Sequence, residues 1–311
     1  MYSFIVNPHS RSGLGATVWK TLEPVLKEQQ VAYEVFFTQY QRHATRIVHD
    51  LTKDLKSHTL VILGGDGTIN EVLNGIVDFS LVTLGYIPIG SSNDFARDIG
   101  LPSDPLEALK LILNPTEIQA MDVGLLTYRN RQKSRYFAVS TGLGFDAAIC
   151  HQAVVSRLKV FLNKLKLGKL TYAGIALNRL FYDQPVSMNI TVDPGQDSEQ
   201  TFSYEKVYFA AVMNHRYEGG GCKFCPKADA TDRILDLIVV SQLPKWKILV
   251  LLPTAFFGKH VYFKGIHLLT GTHFSIHSEK ALPVHTDGEP IFLQKDIEVT
   301  LAPKRLSIIS K

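Results

Sequence analysis

The sequence predicts two domains of different class. Residues 1–125 read as a parallel α/β domain, and residues 126–302 as a largely antiparallel β domain, a sandwich or barrel. Three observations carry this. The chain has 311 residues, a length that suits two domains. Its first part alternates short, β-rich apolar runs with stretches of helical spacing. Beyond Met121-Asp122-Val123 strand-like runs separated by turn clusters take over.

In the first part, Tyr2–Val6, Tyr33–Thr38, Thr59–Leu63 and Leu81–Pro88 are mostly apolar and rich in β-formers, which predicts strands. Thr17–Gln29, Ala44–Leu55, Ile69–Ile76 and Pro105–Leu113 carry helical spacing. Such alternation predicts a parallel sheet covered on both faces, whose ligands bind beyond the carboxyl ends of the strands. In the second part, Tyr136–Ser140, Val186–Val192, Lys206–Val212, Ile234–Val240, His273–His277 and Ile297–Leu301 read as strands. Asp193-Pro194-Gly195 and Asp287-Gly288 supply turns. Two apolar, basic stretches with partly helical spacing, Val154–Tyr182 and Pro244–Leu269, interrupt this pattern.

Composition narrows the class. Hydrophobic residues make up 45% and charged residues 20%, which supports a packed core and excludes general disorder. A formal net charge of +4 is too small for a dedicated nucleic-acid binder but suits anionic ligands or a membrane surface. Three cysteines exclude a disulfide scaffold and fit a reducing cytosol. Cys222-Lys223-Phe224-Cys225 lacks the second ligand pair of a zinc ribbon, and Cys150 is isolated. The N-terminus shows no signal-peptide pattern. The longest apolar run, Ile248–Phe257, is broken by Pro253-Thr254 and falls short of the ~18 residues of a membrane span. A cytoplasmic protein is expected.

Three strand-to-helix loops could carry chemistry. Leu60–Leu63 runs into Gly64-Gly65-Asp66-Gly67-Thr68, and Asn70 and Glu71 lie in the first turn of the helix that follows. Glycines let backbone N–H groups approach an anion, and the helix N-terminus adds partial positive charge. Asp66 would repel a bare phosphate but suits Mg2+, held directly or through water. The same residues also suit a tight turn with Asp66 in an Asx-turn. After the next strand come Gly90-Ser91-Ser92-Asn93-Asp94, where Asp94 could equally cap a helix. After the first strand come Asn7-Pro8-His9-Ser10-Arg11-Ser12-Gly13, again rich in donors. Three such loops on one sheet edge favour a nucleoside triphosphate site.

These motifs together resemble the diacylglycerol kinase catalytic-domain family, which includes soluble bacterial lipid kinases and the sphingosine and ceramide kinases. The match rests on Gly64–Thr68 with Asn70-Glu71-Val72 and Asn74-Gly75, on Asn7-Pro8-x-Ser10, on Pro88-x-Gly90-Ser91-x-Asn93-Asp94-Phe95-Ala96-Arg97, and on Asp287-Gly288-Glu289. It covers essentially the whole chain. The resemblance implies a Rossmann-like ATP-binding domain, which the region 303–311 joins by pairing back, and a β-sandwich lipid domain. It implies transfer of the γ-phosphoryl group of ATP to a lipid hydroxyl, diacylglycerol or a related lipid, in a cleft between the domains. Asp66, Asp94 and Asp122 match a carboxylate–water–Mg2+ network, and Glu289 matches the catalytic carboxylate. Asn7, Pro8, Ser10, Arg11, Ser12, Thr38, Gly64, Gly65, Gly67, Thr68, Asn70, Glu71, Gly90, Ser91 and Asn93 match the ATP-contacting positions. Asp229, Asp232 and the Ile234 carbonyl match a structural Mg2+ site.

The chain departs from the family pattern at Arg11 and Arg233, where glycine is common. At Arg233 a bound metal and no metal both stay open. The basic-apolar stretches suit peripheral docking on a lipid surface, at the inner face of the membrane, and equally suit a helix with solvated lysines. A homodimer is left open. The alternatives are an NAD kinase, which shares the Gly-Gly-Asp-Gly loop, and a catalytically silent lipid- or nucleotide-binding regulator.

Overall fold

The computed structural model describes residues 1–128, 132–155 and 184–310. The chain divides into two compact units. One comprises Met1–Val123, Gly219–Gly221 and Ala302–Lys311; the other comprises Gly124–Glu218 and Cys222–Leu301.

The first unit is built on a six-stranded sheet of order β2-β1-β3-β4-β15-β5. Its strands are β1 (Tyr2–Val6), β2 (Tyr33–Phe37), β3 (His58–Gly64), β4 (Val82–Pro88), β5 (Glu117–Met121) and β15 (Leu306–Ser310). β15 pairs parallel to β4 and antiparallel to β5, so the end of the chain is an interior strand of the N-terminal sheet. The other neighbours are parallel. β3 reads Leu-Val-Ile-Leu at its buried centre, the continuous apolar run of a strand covered on both faces. The helices are α1 (Ser10–Glu28), α2 (His43–Thr52), α3 (Asp66–Leu73), α4 (Asp94–Asp98) and α5 (Pro105–Leu113). α5 starts where its sequence directs: Asp104 accepts hydrogen bonds from Leu106 N and Glu107 N, and Pro105 occupies the first turn. The core packs Phe4, Trp19, Leu22, Leu26, Leu63, Ile87, Leu109 and Ile112 together, with Trp19 5.3 Å from Phe4.

Among its described residues the second unit holds nine antiparallel strands: β6 (Gly124–Tyr128), β7 (Lys133–Phe137), β8 (Ser140–Gly144), β9 (Val186–Val192), β10 (Gln200–Met213), β11 (Leu235–Ser241), β12 (Ile266–Gly271), β13 (His273–Thr286) and β14 (Glu289–Leu301). β10 and β13 are long. The first part of each pairs with β9 and the later part with β8. Bulges between Tyr204 and Phe209, and between His277 and Val284, fall where the partners change. The inward residues of both parts, among them Val186, Ile190, Val212, Phe274 and Val284, share one core. Among its described residues are two helices, α6 (Phe145–Val155) and α7 (Lys245–Ala255).

The differences from expectation are local. Tyr136–Ser140 is not one strand: β7 ends at Phe137 and β8 begins at Ser140. Pro244–Leu269 is helical only over Lys245–Ala255, then forms a short 3-10 turn and β12, which pairs with β11. Of Val154–Tyr182, residues 156–182 lie outside the described residues. Cys222 and Cys225 are buried and form no disulfide.

Candidate active site

The three strand-end loops of the first unit are locked together. Beyond β3 and β4 the backbones still pair, Ile89 N donating to Gly64 O at 2.8 Å. A Cβ built on Gly90 would stand 2.7 Å from Gly65 Cα, and one on Gly65 3.0 Å from Gly90 Cα. No side chain fits between these loops, which explains both glycines. The buried Tyr86 hydroxyl donates to Gly64 O at 3.2 Å. Burial, and then the charges of Asp66 and Asp94, hold Tyr86 well above the usual phenol range, so it stays a donor. The β1 loop joins through Asn7 Nδ2, which donates to Thr68 Oγ1 at 3.2 Å.

Two of the expected carboxylates meet at this edge. Asp66 opens α3, and its Oδ2 accepts from Asp94 N at 3.4 Å. Asp94 opens α4 and is buried. Its Oδ1 accepts from Arg97 Nη1 at 2.7 Å and its Oδ2 from Gly220 N at 2.8 Å. Burial raises its pKa, opposed by the Gly220 N–H, the Arg97 charge and the Gly221 N–H. Asp122 follows β5, is fully buried, and accepts from Arg305 Nε at 2.8 Å.

Gly219-Gly220-Gly221 is a part of this site that the sequence reading missed. All three have positive φ (66°, 85° and 117°), and a Cβ on Gly221 would press on the Arg97 guanidinium. The signal was visible as three consecutive glycines.

The other expected residues divide by what they hold. Ser10 N donates to Asn7 O, and Ala16 N donates to Pro8 O, which shapes the first loop. Thr38 follows β2, is buried, and donates its N–H to Val6 O. Asn93 has φ 50° and donates Nδ2 to Gly90 O at 3.2 Å, closing the third loop, where Ser91 is exposed. Asn70 is fully buried. The Glu71 carboxylate accepts from Arg42 N at 2.7 Å and Ala44 N at 3.2 Å, so it holds the start of α2.

In the second unit, Asp287 (φ 49°) and Gly288 (φ 78°) form the two-residue turn between β13 and β14, with Thr286 opposite Glu289. Both positive φ values are those of a type I′ hairpin. The Asp287 carboxylate accepts from Ala138, Val139 and Ser140 N–H at 2.9, 2.7 and 3.1 Å. Glu289, half-buried, opens β14 directly after this pinned turn. Asp229 and Asp232 are exposed. Asp229 accepts from Thr231 N and Oγ1, and Asp232 from Ile234 N at 2.8 Å.

Residues 1–126 match the family described as diacylglycerol kinase catalytic domain, and residues 139–310 the family described as YegS C-terminal NAD kinase beta sandwich-like domain. The chain belongs to this lipid-kinase family. Among its relatives is a Bacillus subtilis protein named "Putative lipid kinase YtlR", 28% identical over 290 residues, 92% of each chain. The Bacillus subtilis protein named diacylglycerol kinase is 28% identical over 92% of this chain and 88% of its own. A solved structure titled as a "putative diacylglycerol kinase" from Bacillus anthracis superposes over 100% of this chain and 95% of that chain, with a TM-score of 0.77 at 24% identity. An Archaeoglobus fulgidus NAD kinase in complex with ATP shares the fold at a TM-score of 0.54 and 13% identity, over 100% and 94% of the two chains.

Both departures from the family's glycines fall at left-handed backbone. Arg11 has φ 47° and Arg233 φ 66°. The turns are kept, and the arginines carry the strain that glycine avoids. At Arg11 the strain is shared with Ser12 (φ 61°), while Gly13 (φ 97°) continues the turn without it.

A Mg2+ ion can be tested against the donors. Among the described residues, the group of three acidic or histidine side chains whose ligand atoms lie within 4.8 Å of one another is Asp146, Glu218 and His285, not Asp66, Asp94 and Asp122. The aspartates of the first unit therefore form no direct three-carboxylate cage. Asp66 and Asp94 share the carboxyl edge and fit an ion that keeps its water and is reached through it. Asp122 does not join them: β5 runs antiparallel to β15, so Asp122 comes at the opposite, amino edge of the sheet, level with the start of β4 and paired with Arg305.

Proposed function

We propose that this chain is an ATP-dependent kinase that transfers the γ-phosphoryl group to a lipid hydroxyl, with diacylglycerol the first candidate. The observation that carries the reading is the meeting of Asp66 and Asp94 on two glycine loops packed backbone to backbone at the carboxyl edge of a parallel sheet. Glycine N–H groups and the α3 N-terminus suit a polyphosphate there. Phosphoryl transfer asks chiefly for alignment and neutralisation of charge. Asp66 and Asp94 would hold Mg2+ through water, and the bound ion would neutralise phosphate charge; Asp122, at the other edge of the sheet and paired with Arg305, is not among its holders. Glu289 takes the proton of the attacking lipid hydroxyl. The Asp229–Asp232–Ile234 turn is an open candidate for a structural Mg2+.

The lipid must be reached at a surface. No helix among the described residues is long and apolar enough to cross a membrane. α7 and the turn beyond it suit peripheral contact instead. Trp246, Val250, Pro253 and Phe257 recur at spacings of 4, 3 and 4 residues, and Leu251 and Ala255, on the opposite face, are buried. Trp246 is 66% exposed, Val250 63%, Phe257 74% and Tyr262 84%. Lys245 and Lys247 flank the stripe, and no acidic residue occurs from Leu237 to Ser278. An outward apolar stripe edged by lysines is the pattern of a helix lying in an anionic lipid surface.

The test is purified protein with ATP, Mg2+ and mixed micelles of diacylglycerol, phosphatidylglycerol, sphingoid base, ceramide or undecaprenol, with NAD in parallel. Mass spectrometry should find a phosphorylated lipid and unmodified NAD. Phosphorylated NAD with no lipid product would favour the NAD kinase reading. No product at all would favour a silent binding protein.

A further inference from the structure

Asp146, Glu218 and His285 meet inside the second unit, and the kinase reading leaves them without a task. The His285 side chain, on β13, has no exposed surface. Its Nε2 lies 3.0 Å from Asp146 Oδ2 and 3.2 Å from Glu218 Oε1. Its Nδ1 accepts the Gly288 N–H at 3.0 Å. Gly142, its partner on β8, makes the room: a Cβ there would overlap the Asp146 carboxylate and His285 Nε2. An imidazole buried with two carboxylates is less favourable than a packed apolar cluster of the same size. The arrangement calls for a reason.

A metal ion is the first to consider, since the three ligand atoms lie within 4.8 Å of one another. The bond at Nδ1 argues against it. A ring with its lone pair on Nδ1 carries its proton on Nε2, the nitrogen that faces the carboxylates, and a protonated nitrogen is no ligand. A metal-bound histidine donates from its second nitrogen, whereas here the second nitrogen accepts. Burial disfavours a charged ring, while the Glu218 and Asp146 carboxylates favour a proton on the nitrogen that faces them. The Gly288 N–H, pointing at Nδ1, leaves no place for a second proton there.

What the ring holds is the turn before Glu289. Asp287 is pinned from one side by three N–H groups of the β7–β8 connection. Gly288 is held from the other side by His285. We propose that His285 is a positioning residue for Glu289: anchored on Asp146 and Glu218 through Nε2–H, it grips the Gly288 N–H and fixes the backbone that carries the base. This rests on the reading of Glu289 as proton acceptor.

Two substitutions separate the halves of the clamp. His285→Asn keeps an acceptor at the Nδ1 position; His285→Gln keeps a donor near the Nε2 position and loses the acceptor. With ATP, Mg2+ and diacylglycerol micelles, His285→Gln should lower kcat about 10- to 100-fold, a loss of the size that misplacing a catalytic group causes. The KM for ATP should stay within about twofold, and His285→Asn should recover most of the rate. In a Glu289→Gln background the His285→Gln loss should vanish, because the residue acts through Glu289. Hydrogen exchange at the Gly288 and Glu289 amides should quicken in His285→Gln and not in His285→Asn. Unchanged exchange in His285→Gln, or a loss that multiplies undiminished onto Glu289→Gln, would overturn the positioning role. A Glu289→Gln enzyme with wild-type rate, or a wild type with no lipid product, would overturn it from the other direction, by removing the base.

Discussion

A carboxylate that takes a proton from an alcohol must be held in place, and the backbone before Glu289 is held by the nearby Asp287 and His285 side chains, each anchored on groups distant in sequence. Replacing Glu289 with Gln keeps the shape and removes the acceptor. Transfer to lipid should fall about 10²–10⁴-fold, with ATP binding, read by calorimetry, unchanged. Asp66→Ala should lower the rate by about 10²–10³, and a wild-type rate in that variant would remove Asp66 from the site. A different effect belongs to Arg233. Its φ of 66° is strained for any side chain, so Arg233→Gly should raise the free energy of unfolding by about 1 kcal/mol in denaturant titration. Single residues were unevenly legible in the sequence. Asp66 and Asp94 sit in local motifs whose glycines and neighbours carry the information. Asp146, Glu218 and His285 are scattered along the chain and gather only when β8 and β13 pair. No spacing rule finds them.

At the scale of elements, packing decides which readings hold. The contact of Gly65 with Gly90 predicts that Gly90→Ala spreads the two loops while the rest of the sheet stands. ATP affinity should drop about tenfold or more, with an unchanged melting temperature; intact affinity would show that the loops do not cradle the nucleotide. α7 gives a second prediction. Trp246→Asp with Phe257→Asp should weaken sedimentation with phosphatidylglycerol vesicles at least severalfold and leave the transfer rate on a water-soluble short-chain lipid near wild type. Binding that survives both changes would place the lipid contact elsewhere. β1, β9 and α5 were readable to the residue because apolar patterning and capping agree there. β8 was hidden by Gly142 and Gly144, residues that weaken any strand pattern and are required by the close approach of Asp146, His285 and Tyr208. β12 was hidden because a short apolar run beside a helix has no period of its own.

The whole molecule joins a parallel α/β unit to an antiparallel β unit, and the chain crosses between them more often than its motifs suggest. Gly219–Gly221 and Ala302–Lys311 both belong with the N-terminal unit. β15 lies between β4 and β5, so removing residues 303–311 takes out an interior strand rather than a tail. Limited proteolysis of such a truncation should degrade residues 1–123 quickly and spare the second unit. The central claim is that this fold moves phosphate from ATP to a lipid alcohol with Glu289 as base. The most direct measurement follows label from γ-labelled ATP into diacylglycerol in mixed micelles, for wild type and Glu289→Gln side by side. The account predicts labelled phospholipid from the wild type and at most about one hundredth of that rate from the variant. Equal labelling by both proteins, or none by the wild type with any lipid of the panel, would contradict it.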